Sequence, residues 1–193
     1  MVGGWTAQVR ERIRSQLMLI GGRSGSGKTT VAYEVSARLQ ELGVAHCHVE
    51  GDNLDAAYPK PLGDPHGTRL TEANLAALWR NYRAIGQHRL IYVNTASVLE
   101  PQLFIRAMAA GVTGEVDLVA FELTARDESV AARLAARERG STLAQHLERS
   151  QHMAQVLARD APPATLRIST DDRDVTSVAA ELIDVSGWVN GNR

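Results

Sequence analysis

The sequence predicts an α/β fold, a three-layer sandwich built on a five-stranded parallel sheet. Three observations carry this expectation. Five short apolar segments alternate with segments of helical periodicity, the pattern of a parallel sheet covered on both faces. The chain has 193 residues, 44% hydrophobic and 22% charged, which suits one domain with a proper buried core. A glycine-rich loop, GGRSGSGKTT at 21–30, follows the first apolar run and opens a helix, the setting of a phosphate-holding turn.

Taken in order, residues 6–15 read as a short polar helix leading to a first strand over 17–21. KTTVAYEVSARLQELG has helical spacing at Val31, Val35 and Leu39 and stops at Gly43, a natural C-terminal cap. VAHCHVE, 44–50, is a second strand that runs into the turn GDN. The Pro/Gly-rich stretch YPKPLGDPHG, 58–67, is too long and broken for a tight connection, so it is a candidate for function. Thr71 is placed to cap a helix reaching Ile85, with Leu75, Leu78, Trp79 and Tyr82 as its apolar stripe and Gly86 as its end. RLIYVNT is a third strand, 101–110 a helix and VDLVAFEL, 116–123, a fourth strand. Arg-rich helices follow over 126–139 and 142–158, then a fifth strand, TLRIST at 165–170. A helix over 173–185 closes the chain and the last eight residues read as a loose, flexible tail. The expectation is a single domain over 1–193 with its core in 17–185.

Composition excludes several classes. A formal net charge of −1 leaves no broad basic surface, so neither nucleic acid nor anionic membrane is an expected partner. A lone cysteine, Cys47, excludes an internal disulfide and suits a reducing cytosol. No apolar run nears the roughly 18 residues of a membrane span. The stretch behind Arg10, Glu11, Arg12 and Arg14 is too brief for a secretory signal. A cytoplasmic monomer or homodimer is expected.

Gly22-Arg23-Ser24-Gly25-Ser26-Gly27-Lys28-Thr29 matches G-x-x-x-x-G-K-[ST] in full. The glycines let backbone N–H groups of Gly22, Ser24, Gly25, Ser26 and Gly27 turn in around an anion, and the following helix adds its positive end. Lys28 reaches β- and γ-phosphates and the Thr29 hydroxyl ligates Mg²⁺, which points to ATP or GTP; Thr30 is a neighbouring helix residue. After the second strand, Glu50 and Asp52 are two apart and point the same way in an extended segment. A carboxylate there can take a proton from an attacking hydroxyl or hold Mg²⁺, so Asp52 is the candidate base and Glu50 a candidate metal group. The same letters also spell an ordinary turn.

The loop and "EGDN" together resemble the P-loop small-molecule kinases: adenylylsulfate kinases, chloramphenicol phosphotransferase and gluconate or shikimate kinases. Adenylylsulfate kinases carry D-G-D-N after the second strand, from which this chain differs by Glu50. GDNLDAAYP also resembles the segment of chloramphenicol phosphotransferase that holds its catalytic base, a role the resemblance transfers to Asp52. An Arg-x-x-x-Asn pattern of adenylylsulfate kinases has a looser counterpart in Arg69 and Asn74, one residue further apart. The resemblance implies the P-loop NTPase fold of nucleoside and nucleotide kinases, ATP with Mg²⁺, and transfer of the γ-phosphate to a hydroxyl of a small acceptor. It also implies arginines over the phosphates: on a helix Arg126, Arg133 and Arg137 fall within about 40° of one another, and Arg133 and Arg137 are the favoured pair. Thr170 and Asp171 sit where the family contacts the base.

The third strand ends in Asn94 and Thr95, where many P-loop ATPases place a Walker B acid. That neutral ending argues against a motor and for a small acceptor, a nucleotide-dependent switch or ATPase without acceptor being the alternative. Tyr58, Lys60, His66, Arg69, Asn74, Arg80, Asn81 and Arg83 are the candidates for the acceptor pocket, with Tyr58, Arg69 and Asn74 foremost. Aromatic and basic groups together suit a sugar, a nucleoside or an anion. His46 and His48 flank Cys47 on a strand, yet no further ligand follows at zinc spacing.

Overall fold

The computed structural model describes residues 14–110, 114–137 and 142–189. Five strands are present: β1 Ser15–Gly21, β2 Cys47–Glu50, β3 Arg89–Val93, β4 Val116–Thr124 and β5 Leu166–Ser169. Six helices connect and flank them: α1 Lys28–Glu41, α2 Thr68–Ala84, α3 Pro101–Ala109, α4 Asp127–Arg137, α5 Leu143–Asp160 and α6 Val175–Ser186. The sheet order is β2-β3-β1-β4-β5 and every pairing is parallel. The three-layer α/β sandwich expected from the sequence is therefore the fold.

Parallel strands buried on both faces read as continuous apolar runs, and each run here divides by alternation between two cores. Met18, Ile20, Ile91, Val93, Phe121 and Leu123 face one cluster, which α1 and α6 cover. Leu17, Leu19, Leu90, Tyr92 and Ala120 face the other, which α2, α3 and α5 cover. The glycine loop leaves β1 at the centre of the sheet, and α4 sits against it: a side chain at Gly25 would meet Val130 and Leu134 of that helix.

Three boundaries differ from expectation. Ser15 already belongs to β1, and the rest of the predicted 6–15 helix up to residue 13 lies outside the described residues. The helix assigned to a Thr71 cap begins at Thr68 instead. Gly67 holds the preceding left-handed turn, φ 70, and Asp64 reaches forward so that its carboxylate accepts from Leu70 N at 3.0 Å. A side-chain cap six residues upstream was not readable from local spacing. Finally, the expected loose tail is anchored through residue 188, because Trp188 is only 2% exposed in the core beside α1 and α6. Residues 190–193 lie outside the described residues.

Candidate active site

The loop between β1 and α1 is shaped by glycines at two decisive points. Gly22, φ 138, lies so close under β4 that a Cβ would come 2.5 Å from the Leu123 carbonyl oxygen. Gly27, φ 91, makes the left-handed step into α1. Below them Arg23 is buried, and its guanidinium donates to Asp127 at 2.5 Å and to the Ala125 carbonyl at 2.6 Å. Ser150 of α5 donates to the Ser24 carbonyl at 2.8 Å. The loop is thus fastened from outside and partly from within: Gly22 N–H donates to the Thr95 carbonyl at 3.1 Å and Ser26 N–H to the Arg23 carbonyl at 3.2 Å, so these two, expected on the anion, are spent inside the protein.

A hollow of about 140 Å³ opens above the loop, lined by Ser24, Gly25, Gly27, Lys28, Thr29, Thr30, Asp52, Thr95 and Arg137. Lys28 is mostly buried, which pushes its pKa down; Asp52 and Glu50 oppose that shift and Arg137 adds to it. A charged amine, two carboxylates and a guanidinium therefore share one field. Glu50 has its pKa raised by burial and by Asp52, with Lys28 opposing. Its Oε1 is buried without a hydrogen-bond partner, although His48 Nε2 stands 3.5 Å away. Burial also holds the His48 imidazole towards its neutral form. An orphaned carboxylate oxygen on Glu50, whose charge acts on Lys28, and the Thr29 hydroxyl in the hollow are donors of the kind a hard cation takes. No group of three or more His, Cys, Asp or Glu suited to a metal occurs among the described residues, so phosphates and water would supply the remaining ligands.

Asp52 is positioned by an element the sequence reading treated only as a missing acid. Asn94, at the end of β3, donates through Nδ2 to Asp52 Oδ1 at 2.7 Å. Its own Oδ1 accepts from Ala96 N at 3.0 Å, which fixes the amide orientation. Gly51 lies directly against the Tyr92 hydroxyl, where any Cβ would overlap the ring oxygen. Asp52 therefore follows a backbone pressed onto β3.

On the far side of Asn94 a larger cavity of about 320 Å³ opens, lined among others by Asp55, His66, Thr68, Thr71, Tyr92, Asn94, Ser97 and Phe104. Tyr92 and Phe104 pack at 4.5 Å between ring centroids to form its floor. The two hollows adjoin through the Asn94–Asp52 bond, Asp52 and Thr95 lining the smaller and Asn94 the larger. The larger hollow's parts come from three stretches of chain, 55, 66–71 and 92–104, so local spacing does not reveal its wall; of its residues only His66 is among the acceptor-pocket candidates of the sequence.

Several candidates sit elsewhere. Arg133 does not face the phosphate hollow. Its guanidinium donates to the Gly25 carbonyl and to both oxygens of Thr170, at 3.2, 2.9 and 3.0 Å, tying loop to sheet. Thr170 is buried, and its hydroxyl donates to carbonyls of Ser26 and Thr124. Asp171 accepts from Arg126 N at 2.9 Å, and Ser26 is buried beneath the loop. Tyr58 is 100% exposed and lines neither of these two hollows. Asn74 donates to the Leu54 carbonyl at 2.6 Å and Arg69 to the Gly63 carbonyl at 2.8 Å, so both brace the 54–67 loop. Arg137 does reach the loop, and with His146 and Arg149 of α5 it lines a further hollow beside Ser24. Glu122, the acid on β4, is buried and paired with Arg167 at 2.9 Å.

A family model described as an AAA domain matches residues 17–173. The chain belongs to that family. As a member it resembles P-loop small-molecule kinases. An adenylyl-sulfate kinase of Bacteroides fragilis is 27% identical over 122 residues, covering 59% of this chain and 56% of that protein. The match thus spans little more than half the curated relative. An APS kinase of Mycobacterium tuberculosis, solved with AMPPNP and APS, superposes with TM-score 0.52 at 22% identity, covering 89% and 97% of the two chains. A gluconokinase from Sinorhizobium meliloti 1021 gives TM-score 0.55 at 19% identity, covering 95% and 97%. At those identities the likeness is one of fold. No helix among the described residues is long and apolar enough to cross a membrane.

Proposed function

We propose that this AAA-domain protein is a kinase that transfers the γ-phosphate of ATP to a hydroxyl of a small acceptor. One observation carries the reading: the Asp52 carboxylate lines the phosphate hollow and is bonded to Asn94, which lines the adjoining aromatic-floored cavity. A base so placed has a phosphoryl donor on one side and room for an alcohol on the other. The adenylyl-sulfate kinase and gluconokinase likenesses support the same reaction class.

In this reading the loop N–H groups and Lys28 hold the β- and γ-phosphates. Thr29 and Glu50 would hold Mg²⁺, which when bound screens phosphate charge. Asp52 accepts the acceptor's hydroxyl proton as the new O–P bond forms and the bond from the γ-phosphorus to the ADP oxygen breaks. Arg137 neutralises charge on the transferring group; Arg133 keeps the loop in place. Asp52→Asn keeps the shape and removes the base. It should lose at least about a hundredfold in transfer, in the range of general-base catalysis, while ATP affinity stays within about twofold. ADP release with a panel of hydroxyl compounds, beside nucleotide titration calorimetry, reads both. Unchanged turnover in the variant would sink the mechanism.

A further inference from the structure

The cavity beyond Asn94 has a chemistry of its own. Among its described lining residues there is no Lys or Arg; the only basic group is the His66 imidazole. The wall instead offers the carboxylates of Asp55 and Glu100, the hydroxyls of Thr68, Thr71 and Ser97, and the apolar surface of Leu103 and Phe104. The nearby cations are engaged. Lys60 donates to Asp55, at 2.5 Å to its carbonyl and 2.6 Å to its carboxylate. Arg106 forks onto Glu72 at 2.7 and 3.1 Å, and Arg69 is bonded to Gly63.

Two helices begin at this cavity, and helix N-termini ordinarily favour anions. Here a carboxylate residue stands at each, Asp64 at the first and Glu100 at the second. The first N–H groups of α2 are taken by the buried Asp64 carboxylate, which accepts from Leu70 N, and the N–H groups of Thr68 and Arg69 also hold its pKa down. α3 starts at Pro101, which has no N–H, and carries no side-chain cap; Leu103 N donates to the Glu100 carbonyl at 3.0 Å, and the Glu100 side chain lines the cavity at the head of the helix. Burial pushes the Tyr92 hydroxyl's pKa up, and the Asp52 and Asp55 carboxylates add to that shift.

Resting on the kinase reading above, we infer that the acceptor is a neutral or cationic hydroxylated ring compound, nucleoside- or amino-sugar-sized, and that anionic acceptors are rejected. An acceptor carboxylate, phosphate or sulfate would meet the Glu100 carboxylate and no lining guanidinium or ammonium, the Lys60 ammonium being held by Asp55, whereas a sugar or base face rests on Phe104 and its hydroxyls meet Thr and Ser. The size follows from a cavity of about 320 Å³.

The test separates this preference from the kinase reading. Matched compounds are titrated into the AMPPNP-loaded protein: glucosamine, glucose and gluconate, then uridine and uridine monophosphate, then adenylylsulfate. Leu103 methyl and Phe104 ring signals report seating. Neutral and aminated compounds should bind at least about tenfold tighter than their anionic counterparts. Glu100→Lys should narrow or invert that ranking. Equal or tighter seating of the anions, no seating of any compound at millimolar concentration, or a ranking indifferent to Glu100→Lys would each overturn the inference. ADP release is then followed with each seated compound. A seated neutral compound that is never phosphorylated ends the kinase reading and leaves the cavity's charge preference in place. A phosphorylated anion does the reverse.

Discussion

Lys28 shows at the scale of one residue how a phosphate-binding loop weighs burial against charge. Burial lowers its pKa from 10.5, so the charged amine is disfavoured in the folded state. The sign follows: the stability linked to Lys28 is present above its ordinary value and is lost as pH falls through the lowered one. Near neutral pH the ammonium is therefore a net cost that a bound phosphate offsets. Lys28→Met should melt about 2 °C or more above the parent without nucleotide, and show no further rise with ATP, by calorimetry at pH 7. Asn94 is the second informative residue. Asn94→Asp sets a carboxylate where the amide donates to Asp52, 2.7 Å away, and like charges that close cannot both ionise freely. We expect kcat to fall by about a hundredfold, the acidic limb of its pH profile, where a general base governs the rate, to move to higher pH, and ATP affinity to stay nearly constant. The phosphate loop was legible residue by residue because its spacing is local. The Asn94–Asp52 bond was not, since its partners are joined only when β2 pairs with β3.

At the scale of elements, α4 separates two arginines that the sequence could only group. Four residues apart, they share one side of the helix, and its packing on the loop decides which does what. Arg133 bonds to Gly25 and Thr170; Arg137, one turn on, looks over the loop towards Lys28. Arg133→Met strands buried carbonyls, at about 1–3 kcal/mol, and should lower both stability and nucleotide affinity with modest change in kcat. Arg137→Met should instead lower kcat by about tenfold or more at nearly unchanged stability. Urea titration with steady-state kinetics distinguishes them, and the reverse pattern would exchange the roles. The 54–67 loop teaches the same lesson. Asn74 and Arg69, expected on the acceptor, brace its backbone, because a long loop must find partners for its carbonyl groups before it can shape a cavity. Strand and helix order followed from hydrophobic period alone. Helix starts did not, where the cap came from Asp64 rather than from the adjacent Thr71.

At the scale of the whole molecule, the sheet order puts the loop of β1 and the acids after β2 on one edge, with β3 between them supplying Tyr92 and Asn94. The opposite requirement, a scaffold stiff enough to hold that edge, falls partly on the last described turn. Trp188 follows α6 through Gly187, φ 67, and fills the core shared by α1, β1 and β4. Sequence periodicity ended at 185 and so left this anchor in the tail. Trp188→Ala opens a cavity and should cost about 3–5 kcal/mol, a drop in Tm of roughly 6–20 °C. The indole packs in the cluster beneath α1, away from the loop's hollow, so nucleotide affinity below the transition should stay within about twofold. Mass action then makes a second demand. ATP at 100 times its Kd should return about 2.7 kcal/mol to the variant, as it does to the parent, because only the folded state holds the phosphates. Chemical denaturation with and without nucleotide checks both. A Trp188→Ala protein that folds yet no longer gains stability from ATP would mean that the C-terminal anchor and the phosphate loop form one cooperative unit through α1.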